Sequence, residues 1–240
     1  MITDTATVVG TPCLAMTGDE LRALIPLDWW AAIDGTIPET EFRQLARRLD
    51  EEQRAIFPTR ERWFRALDET PLTAVRAVIL GQDPYPTEGQ AEGLAFSMPD
   101  GQEAPRSLRR ILSAVREDTI APSRTSLLAW ARRGVLLLNT ALTVPAGQAG
   151  GHTNVGWRPV TDGILRAVAS QPGPVVFMPW GVLVRAAVAR AGILDGHPHV
   201  VCPSVHPMER RGAFIGSNPF GCANDRLRDL GLDPIDWSLD

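Results

Sequence analysis

Lysine is absent from this sequence of 240 residues, so all 24 basic side chains are arginines. Cysteine is scarce. Cys13, Cys202 and Cys222 lie far apart, which predicts a protein of a reducing compartment with neither a disulfide framework nor a four-cysteine metal cluster. A long apolar run is also missing, so we expect no membrane span. The N-terminal stretch has no basic residues before its weakly apolar part, which favours a cytoplasmic protein over a secreted one.

The net charge of −4 does not by itself indicate a nucleic-acid-binding protein. The arginines are clustered, however, and contact with phosphate needs only one positive face. A solvated helix surface explains each cluster equally well. Hydrophobic residues make up 44% of the chain and charged residues 22%, which is typical of a globular protein. Weak periodicity at the start predicts a flexible N-terminal arm over residues 1–25, followed by a single domain over residues 26–240.

The pattern of apolar residues indicates an α/β protein. Four short apolar runs predict buried strands, at residues 75–80, 135–138, 175–178 and 200–202. Helical spacing of apolar residues predicts helices, at residues 41–57, 108–115, 127–133 and 161–169. We place Pro58 at the end of the first helix and Ser107 at the N-cap of the second. This alternation predicts a three-layer α/β/α fold with a central four-stranded parallel sheet.

Polar side chains follow three of these runs. Asp83 lies in a loop after the first run, Asn139 ends the second, and His206 follows the fourth. Because the carboxyl ends of parallel strands meet at one edge of the sheet, we expect these side chains to lie close together. Each residue also has an ordinary structural explanation: a helix cap for Asp83, a turn for Asn139 and a core position for His206. A planar amide that both donates and accepts, as in Asn139, equally suits the edge of a nucleic-acid base.

The string GQDPYPTEGQAEGLAFS, at residues 81–97, resembles the first motif of the family 1 uracil-DNA glycosylases. Three further segments are similar to segments of that family: LLLNTALTV, GHTNVGW and RGAFIGSNPFGCAN. The resemblance extends from about Trp63 to Asn224. It implies a uracil-DNA glycosylase-like fold and a hydrolase that cuts the N-glycosidic bond of deoxyuridine in DNA by base flipping. Such an enzyme releases uracil, leaves an abasic site without a lyase step, and requires no metal or cofactor.

The same resemblance implies a role for each matching residue. Asp83 and His206 are the catalytic pair, since Asp83 stabilises the sugar cation or orients water and His206 donates a hydrogen bond to uracil O2. Base recognition is implied for four residues, which are Gln82, Tyr85, Phe96 and Asn139. Contact with the DNA backbone is implied for Ser107, where a plain helix cap remains the alternative.

This chain departs from the family pattern around the DNA rather than around the base. After His206 its loop is shorter than the family's and lacks the leucine that wedges into the duplex, so Met208 and Arg210 are the wedge candidates. Val182 stands where the family has a phosphate-touching serine, and Pro86 where it has a histidine. We therefore expect a preference for single-stranded or already unstacked uracil. The expected partner is uracil-containing DNA, and the protein is expected to be a monomer.

Two alternatives remain open from the sequence. The acidic balance and the lost phosphate contacts favour an N-glycosidase that acts on a free or modified pyrimidine nucleoside or nucleotide. The other alternative is a non-catalytic module that binds a flipped base or a protein partner. Steep salt dependence of DNA binding separates a DNA enzyme from the first alternative. Release of uracil separates an enzyme from the second.

Overall fold

The computed structural model describes residues 15–115, 124–193, 198–209 and 212–239. Short 3₁₀ turns lie at Arg60–Arg62 and Leu72–Ala74. The other elements are, in chain order, α1 (Gly18–Arg22), α2 (Leu27–Ile33), α3 (Glu39–Asp50), β1 (Ile56–Phe57), α4 (Arg65–Glu69), β2 (Ala77–Gly81), α5 (Arg106–Val115), α6 (Leu128–Arg132), β3 (Val135–Asn139), β4 (Val144–Pro145), α7 (Arg158–Ala169), β5 (Val176–Pro179), α8 (Val182–Arg190), β6 (Val200–Val201), α9 (Ala213–Gly216) and α10 (Pro219–Asp229).

The central sheet has four parallel strands in the order β3-β2-β5-β6. Every residue of β2, β3 and β5 is buried, as continuous apolar runs in a sheet covered on both faces require. Helices flank this sheet, so the predicted three-layer α/β/α fold is confirmed, and each strand overlaps its predicted run. In the register, Gly81 of β2 lies opposite Asn139 of β3, and a bridge between Trp180 and Ser204 extends the β5–β6 pair. The carboxyl ends of the strands thus meet at one edge.

The predicted helix at residues 41–57 is wrong at its C-terminal half. α3 ends at Asp50, and Ile56 and Phe57 instead form β1, which pairs antiparallel with β4. After the helix, the Glu52 carboxylate accepts the backbone N–H of Arg54, which fixes a turn. The apolar spacing of Ile56 fitted a helix, but its partner Pro145 lies far along the chain and gives no local signal.

Residues 15–25 differ from the loosely attached arm that we expected. Thr17 and Glu20 form a capping box at the start of α1, and the buried side chains of Leu21 and Ile25 join the core. α1 lies close against α3, because a Cβ added at Gly18 would come within 2.9 Å of the backbone nitrogen of Arg43. Residues 1–14 lie outside the described part of the chain.

Tryptophans fill much of the interior. Trp29, Trp130, Trp157 and Trp180 are all fully buried, and each packs with other apolar side chains in one core cluster. Trp180 follows β5 directly, so it lies beneath the edge at which the strands end. Within the ranges given above, no helix combines the length and the apolar character that crossing a membrane demands.

Candidate active site

A cavity of about 290 Å³ lies at the carboxyl edge of the sheet. Its lining includes seven of the residues predicted from the sequence, which are Gln82, Asp83, Tyr85, Phe96, Ser107, His206 and Met208. A neighbouring cavity of about 230 Å³ shares Gln82, Phe96 and His206 and is completed by Trp180, Val182 and Leu183. The first cavity is near the lower end of the range for small-molecule sites, about 300 Å³. Its volume therefore suits a small ligand.

Asp83 is held in the loop that follows β2. The backbone N–H of Gly150 donates to its Oδ2 at 2.5 Å, and Oδ1 makes no hydrogen bond with the described residues. Burial raises the pKa of the Asp83 carboxyl, and the hydrogen bond from Gly150 opposes that rise. One oxygen is thus anchored while the other remains available to a ligand or a water molecule.

His206 is fixed in one orientation by its own turn. The backbone N–H of Met208 donates to Nδ1 of His206 at 3.1 Å, and the N–H of Glu209 donates to the carbonyl of His206 at 2.8 Å. Because Nδ1 accepts a hydrogen bond, the proton of the neutral ring lies on Nε2. Burial lowers the pKa of His206, and the nearby Glu209 carboxylate opposes that shift. The site therefore contains a neutral imidazole that can donate from Nε2.

Gly181 allows the imidazole to approach β5. A Cβ added there would come within 3.1 Å of the His206 Cβ, and the residue has a φ of 100°, which disfavours any other residue type. Its N–H donates to the carbonyl of Ser204 at 3.0 Å. Gly181 thus joins the end of β5 to the loop that delivers His206.

Two aromatic rings form a wall of the cavity. The Tyr85 hydroxyl donates to the carbonyl of Phe96 at 2.9 Å and lies 3.4 Å from Oγ of Ser107. Burial raises the pKa of Tyr85 to about 12, so this hydroxyl remains protonated. Phe96 has a φ of 63°, which is uncommon for a residue other than glycine, and its ring lies 5.6 Å from that of Trp180. The hydrogen bond from the Tyr85 hydroxyl to the Phe96 carbonyl helps to hold this strained backbone.

Asn139 lies at the same edge, one strand away from Asp83. Its side chain lies over Gly81, and its Oδ1 is buried without a hydrogen-bond partner in the described part of the chain, the residue being 5% exposed. Asn139 does not line either cavity. An unpaired buried acceptor is costly, and this one can be satisfied by a donor on a ligand.

The family model of the uracil DNA glycosylase superfamily matches residues 67–227 of this chain. The chain belongs to the uracil DNA glycosylase superfamily. The uracil-DNA glycosylase of Rhizobium meliloti (strain 1021) is 45% identical over 218 residues, which cover 88% of this chain and 89% of that protein. The uracil-DNA glycosylase of Streptococcus pneumoniae (strain Hungary19A-6) is 43% identical over 213 residues, covering 87% and 97%.

Solved uracil-DNA glycosylase structures have the same fold. The crystal structure of mimivirus uracil-DNA glycosylase aligns with a TM-score of 0.80 at 25% identity, covering 91% of this chain and 89% of that one. The enzyme of Nitratifractor salsuginis aligns with a TM-score of 0.60 at 21% identity, covering 91% and 97%, and it supports the fold alone. The resemblance read from about Trp63 to Asn224 is therefore confirmed at the level of the superfamily.

Of the three residues predicted to contact DNA in this superfamily member, two are described. Ser107 is not an N-cap, because α5 already begins at Arg106, and its Oγ faces the Tyr85 hydroxyl instead. Met208 is exposed at the rim of the cavity. Arg210 lies outside the described residues.

Sequence reasoning missed a partly buried ion pair between Arg65 and Glu92, which lies behind the glycosylase motif. Glu92 is 4% exposed and accepts hydrogen bonds from Arg65 at 2.9 Å, from Oγ of Ser126 at 2.9 Å and from Oγ of Ser97. These bonds pin the loop that carries Phe96. The signal was present, since Glu92 is the only charged residue in the small, apolar run GQAEGLAFS.

Gly150, which anchors Asp83, gave no such signal, because nothing in its local sequence indicates contact with a residue so distant in the chain. The described residues also contain no group of three or more histidine, cysteine or acidic side chains arranged to hold a metal ion.

Proposed function

We propose that this protein is a monofunctional uracil-DNA glycosylase that hydrolyses the N-glycosidic bond of deoxyuridine in DNA, releases uracil and leaves an abasic site. One observation carries the proposal: the half-buried Asp83 carboxylate and the half-buried neutral imidazole of His206 line the same cavity, as the superfamily motifs predict. The curated relatives are uracil-DNA glycosylases over most of this chain, which favours DNA over a free nucleoside and an enzyme over a binding module.

Asp83 acts on the sugar. Cleavage of the glycosidic bond gives the sugar oxocarbenium character, and a carboxylate near the reacting carbon stabilises that positive charge. Gly150 holds Oδ2, so Oδ1 is available to orient the attacking water molecule or to accept its proton. Because Oδ1 has no hydrogen bond with the described residues, Asp83 can act without first breaking one, and the bond from Gly150 to Oδ2 stays in place.

His206 acts on the leaving base. Negative charge develops on uracil O2 as the bond breaks, and the Nε2–H of His206 donates a hydrogen bond to this oxygen. The Met208 N–H on Nδ1 keeps the donor on Nε2 throughout, so no change of tautomer precedes the reaction. Because burial disfavours the charged ring, the donor is neutral at physiological pH.

Three residues select uracil. Asn139 does not line the cavity in the absence of a ligand, so its amide must turn towards the bound base, where Oδ1 accepts from N3–H of uracil and the amide N–H donates to O4; cytosine presents the opposite pattern of donors and acceptors at these positions. Phe96 stacks on the ring. Tyr85 fills the space beside C5, where the methyl group of thymine would clash, and its hydroxyl is held by the carbonyl of Phe96. Backbone groups at Gln82 complete the contacts to the base.

The rim of the cavity supports a preference for single-stranded or unstacked uracil. Flipping a base out of a duplex costs a few kcal/mol, which contacts with the DNA backbone help to offset. At the neighbouring cavity, which shares His206 with the first, Val182 is 79% exposed and Leu183 64% exposed, and neither side chain can bond to phosphate. Met208 and Arg210 remain the wedge candidates. We propose a monomeric enzyme of the cytoplasm whose partner is uracil-containing DNA.

The test is uracil release from single-stranded and double-stranded oligonucleotides by the wild type, Asp83→Asn and His206→Ala. We expect release by the wild type, with a higher rate on the single strand, and a loss of about 10²- to 10⁴-fold in each variant. Deoxyuridine and its monophosphate serve as the competing substrates. Faster release from these than from DNA would reject the proposal in favour of the nucleosidase alternative.

A further inference from the structure

Arg110 bridges the helix α5 and the turn that carries His206. Its Nη1 donates to the carbonyl of Pro207 at 2.9 Å and to the carbonyl of Glu209 at 2.6 Å. Both bonds span about a hundred residues of sequence, and the two carbonyls belong to the residues on either side of Met208. A single guanidinium thus fastens both arms of one short turn.

The turn determines which nitrogen of His206 carries the proton. The peptide N–H of Met208 reaches Nδ1 of the imidazole only while the peptide that joins it to Pro207 keeps its orientation. That same peptide unit contains the Pro207 carbonyl, to which Arg110 donates. Rotating the unit would break both bonds together, so the guanidinium and the Nδ1 hydrogen bond support each other.

Pro207 limits the hydrogen bonds that the turn can make within itself. Pro207 has no N–H, and the N–H of Glu209 bonds back to the His206 carbonyl at 2.8 Å. An arginine is suited to the remaining carbonyls, because its planar group presents several donors in a fixed geometry. Bonds from a charged donor are also stronger than bonds between neutral groups.

We propose that Arg110 is a positioning residue, which holds the turn after His206 so that the imidazole presents Nε2–H to the cavity. Its effect on catalysis rests on the proposed function, in which His206 donates to the leaving base. Its effect on the tautomer of His206 does not. Arg110 therefore acts through the protein and not through a phosphate group, although it is an arginine close to the mouth of a DNA-binding cavity.

The experiment compares Arg110→Ala, Arg110→Lys and Arg109→Ala. Arg109→Ala is the matched control, because this substitution removes the same charge from the same helix. The Arg109 guanidinium pairs with the exposed Glu103 carboxylate. Nitrogen NMR of protein labelled at histidine reports the tautomer of His206, whose signal is identified by its loss in His206→Asn. Uracil release from a single-stranded oligonucleotide gives kcat and KM, and repeating it over a range of salt concentrations gives the salt slope.

We expect Arg110→Ala to give a mixture of His206 tautomers. We also expect kcat to fall roughly tenfold with little change in KM, which is a smaller loss than complete removal of a positioned hydrogen-bond donor causes. Arg110→Lys, which keeps one donor group and guards against a poorly folded alanine variant, falls between the alanine variant and the wild type. Arg109→Ala keeps the wild-type tautomer.

Three results would overturn the proposal. The first is an Arg110→Ala variant that retains the pure Nε2–H tautomer, and the second is an equal change of tautomer in Arg109→Ala. The third is an Arg110→Ala variant in which KM rises, kcat is unchanged and the salt slope is reduced, because that combination indicates phosphate contact. Failure of the wild type to release uracil would reject the proposed function instead. The NMR comparison would still decide the role of Arg110 in that case.

Discussion

Substituting Gly81 by alanine should disable base recognition without touching either catalytic residue. The added Cβ would lie 2.2 Å from Oδ1 of Asn139, whereas ordinary contact begins at 3.4 Å. On the other side it would meet the Cβ of Ala95 at 3.2 Å, so the new methyl group has no room to move away. The backbone is also fixed here, because the N–H of Thr140 donates to the Gly81 carbonyl at 3.0 Å. The side chain of Asn139 must therefore move.

The size of the effect follows from this distance. Oδ1 has to retreat by about 1 Å to restore ordinary contact. A misplacement of about 1 Å in a group that positions the substrate costs about 10²-fold in rate. We therefore expect kcat/KM for uracil in DNA to fall about 100-fold in Gly81→Ala, which corresponds to about 2.7 kcal/mol of transition-state stabilisation.

The assay is uracil release from a single-stranded oligonucleotide, with binding of free uracil as a second readout. Gly173→Ala is the control, since nothing lies within 4 Å of a Cβ at that position and its φ is not in the left-handed region. Circular dichroism verifies that both variants are folded. Activity of Gly81→Ala within twofold of the wild type would refute the role that we give to Asn139.

Three further predictions concern selectivity, pH and DNA grip. In Tyr85→Ala the discrimination between uracil and thymine falls by about tenfold or more, measured by release of each base; unchanged discrimination would show that another group excludes the methyl. Burial raises the pKa of Asp83 above its ordinary value and lowers the pKa of His206 below 6.5, and both groups act without their acidic proton, so we expect the ionisation of His206 in the acid limb of kcat/KM to lie below pH 6.5. A limb centred above pH 6.5 would contradict the neutral-imidazole mechanism. In Val182→Ser a hydroxyl becomes available to phosphate, which raises the rate on duplex relative to single-stranded DNA roughly fivefold; an unchanged ratio would show that this rim does not face the backbone.

The sheet was predictable from sequence, because β2, β3 and β5 are continuous apolar runs, which are typical of a parallel sheet buried on both faces. The edges of the elements were harder. Ile56 and Phe57 continue a helical pattern, yet pairing with β4 makes them a strand. Ser107 has the right residue type for a cap, but α5 starts one residue earlier. Local propensity yields to tertiary contacts in both places.

The candidate site divides in the same way. Asp83, Asn139 and His206 could be found because each follows a strand whose position the sequence predicts. The groups that orient them could not. Gly150 reaches Asp83 from a different loop, and Arg110 reaches the turn after His206 from a helix on another part of the chain. Such contacts depend on the packing of the whole domain and leave no mark on the local sequence.

A crystal structure of this protein with uracil bound tests the central claim most directly. We predict that uracil occupies the cavity with its O2 within hydrogen-bond distance of Nε2 of His206 and its N3 and O4 facing the amide of Asn139, while its ring lies against Phe96. Uracil bound elsewhere, or bound here with O2 directed away from His206, would contradict the account.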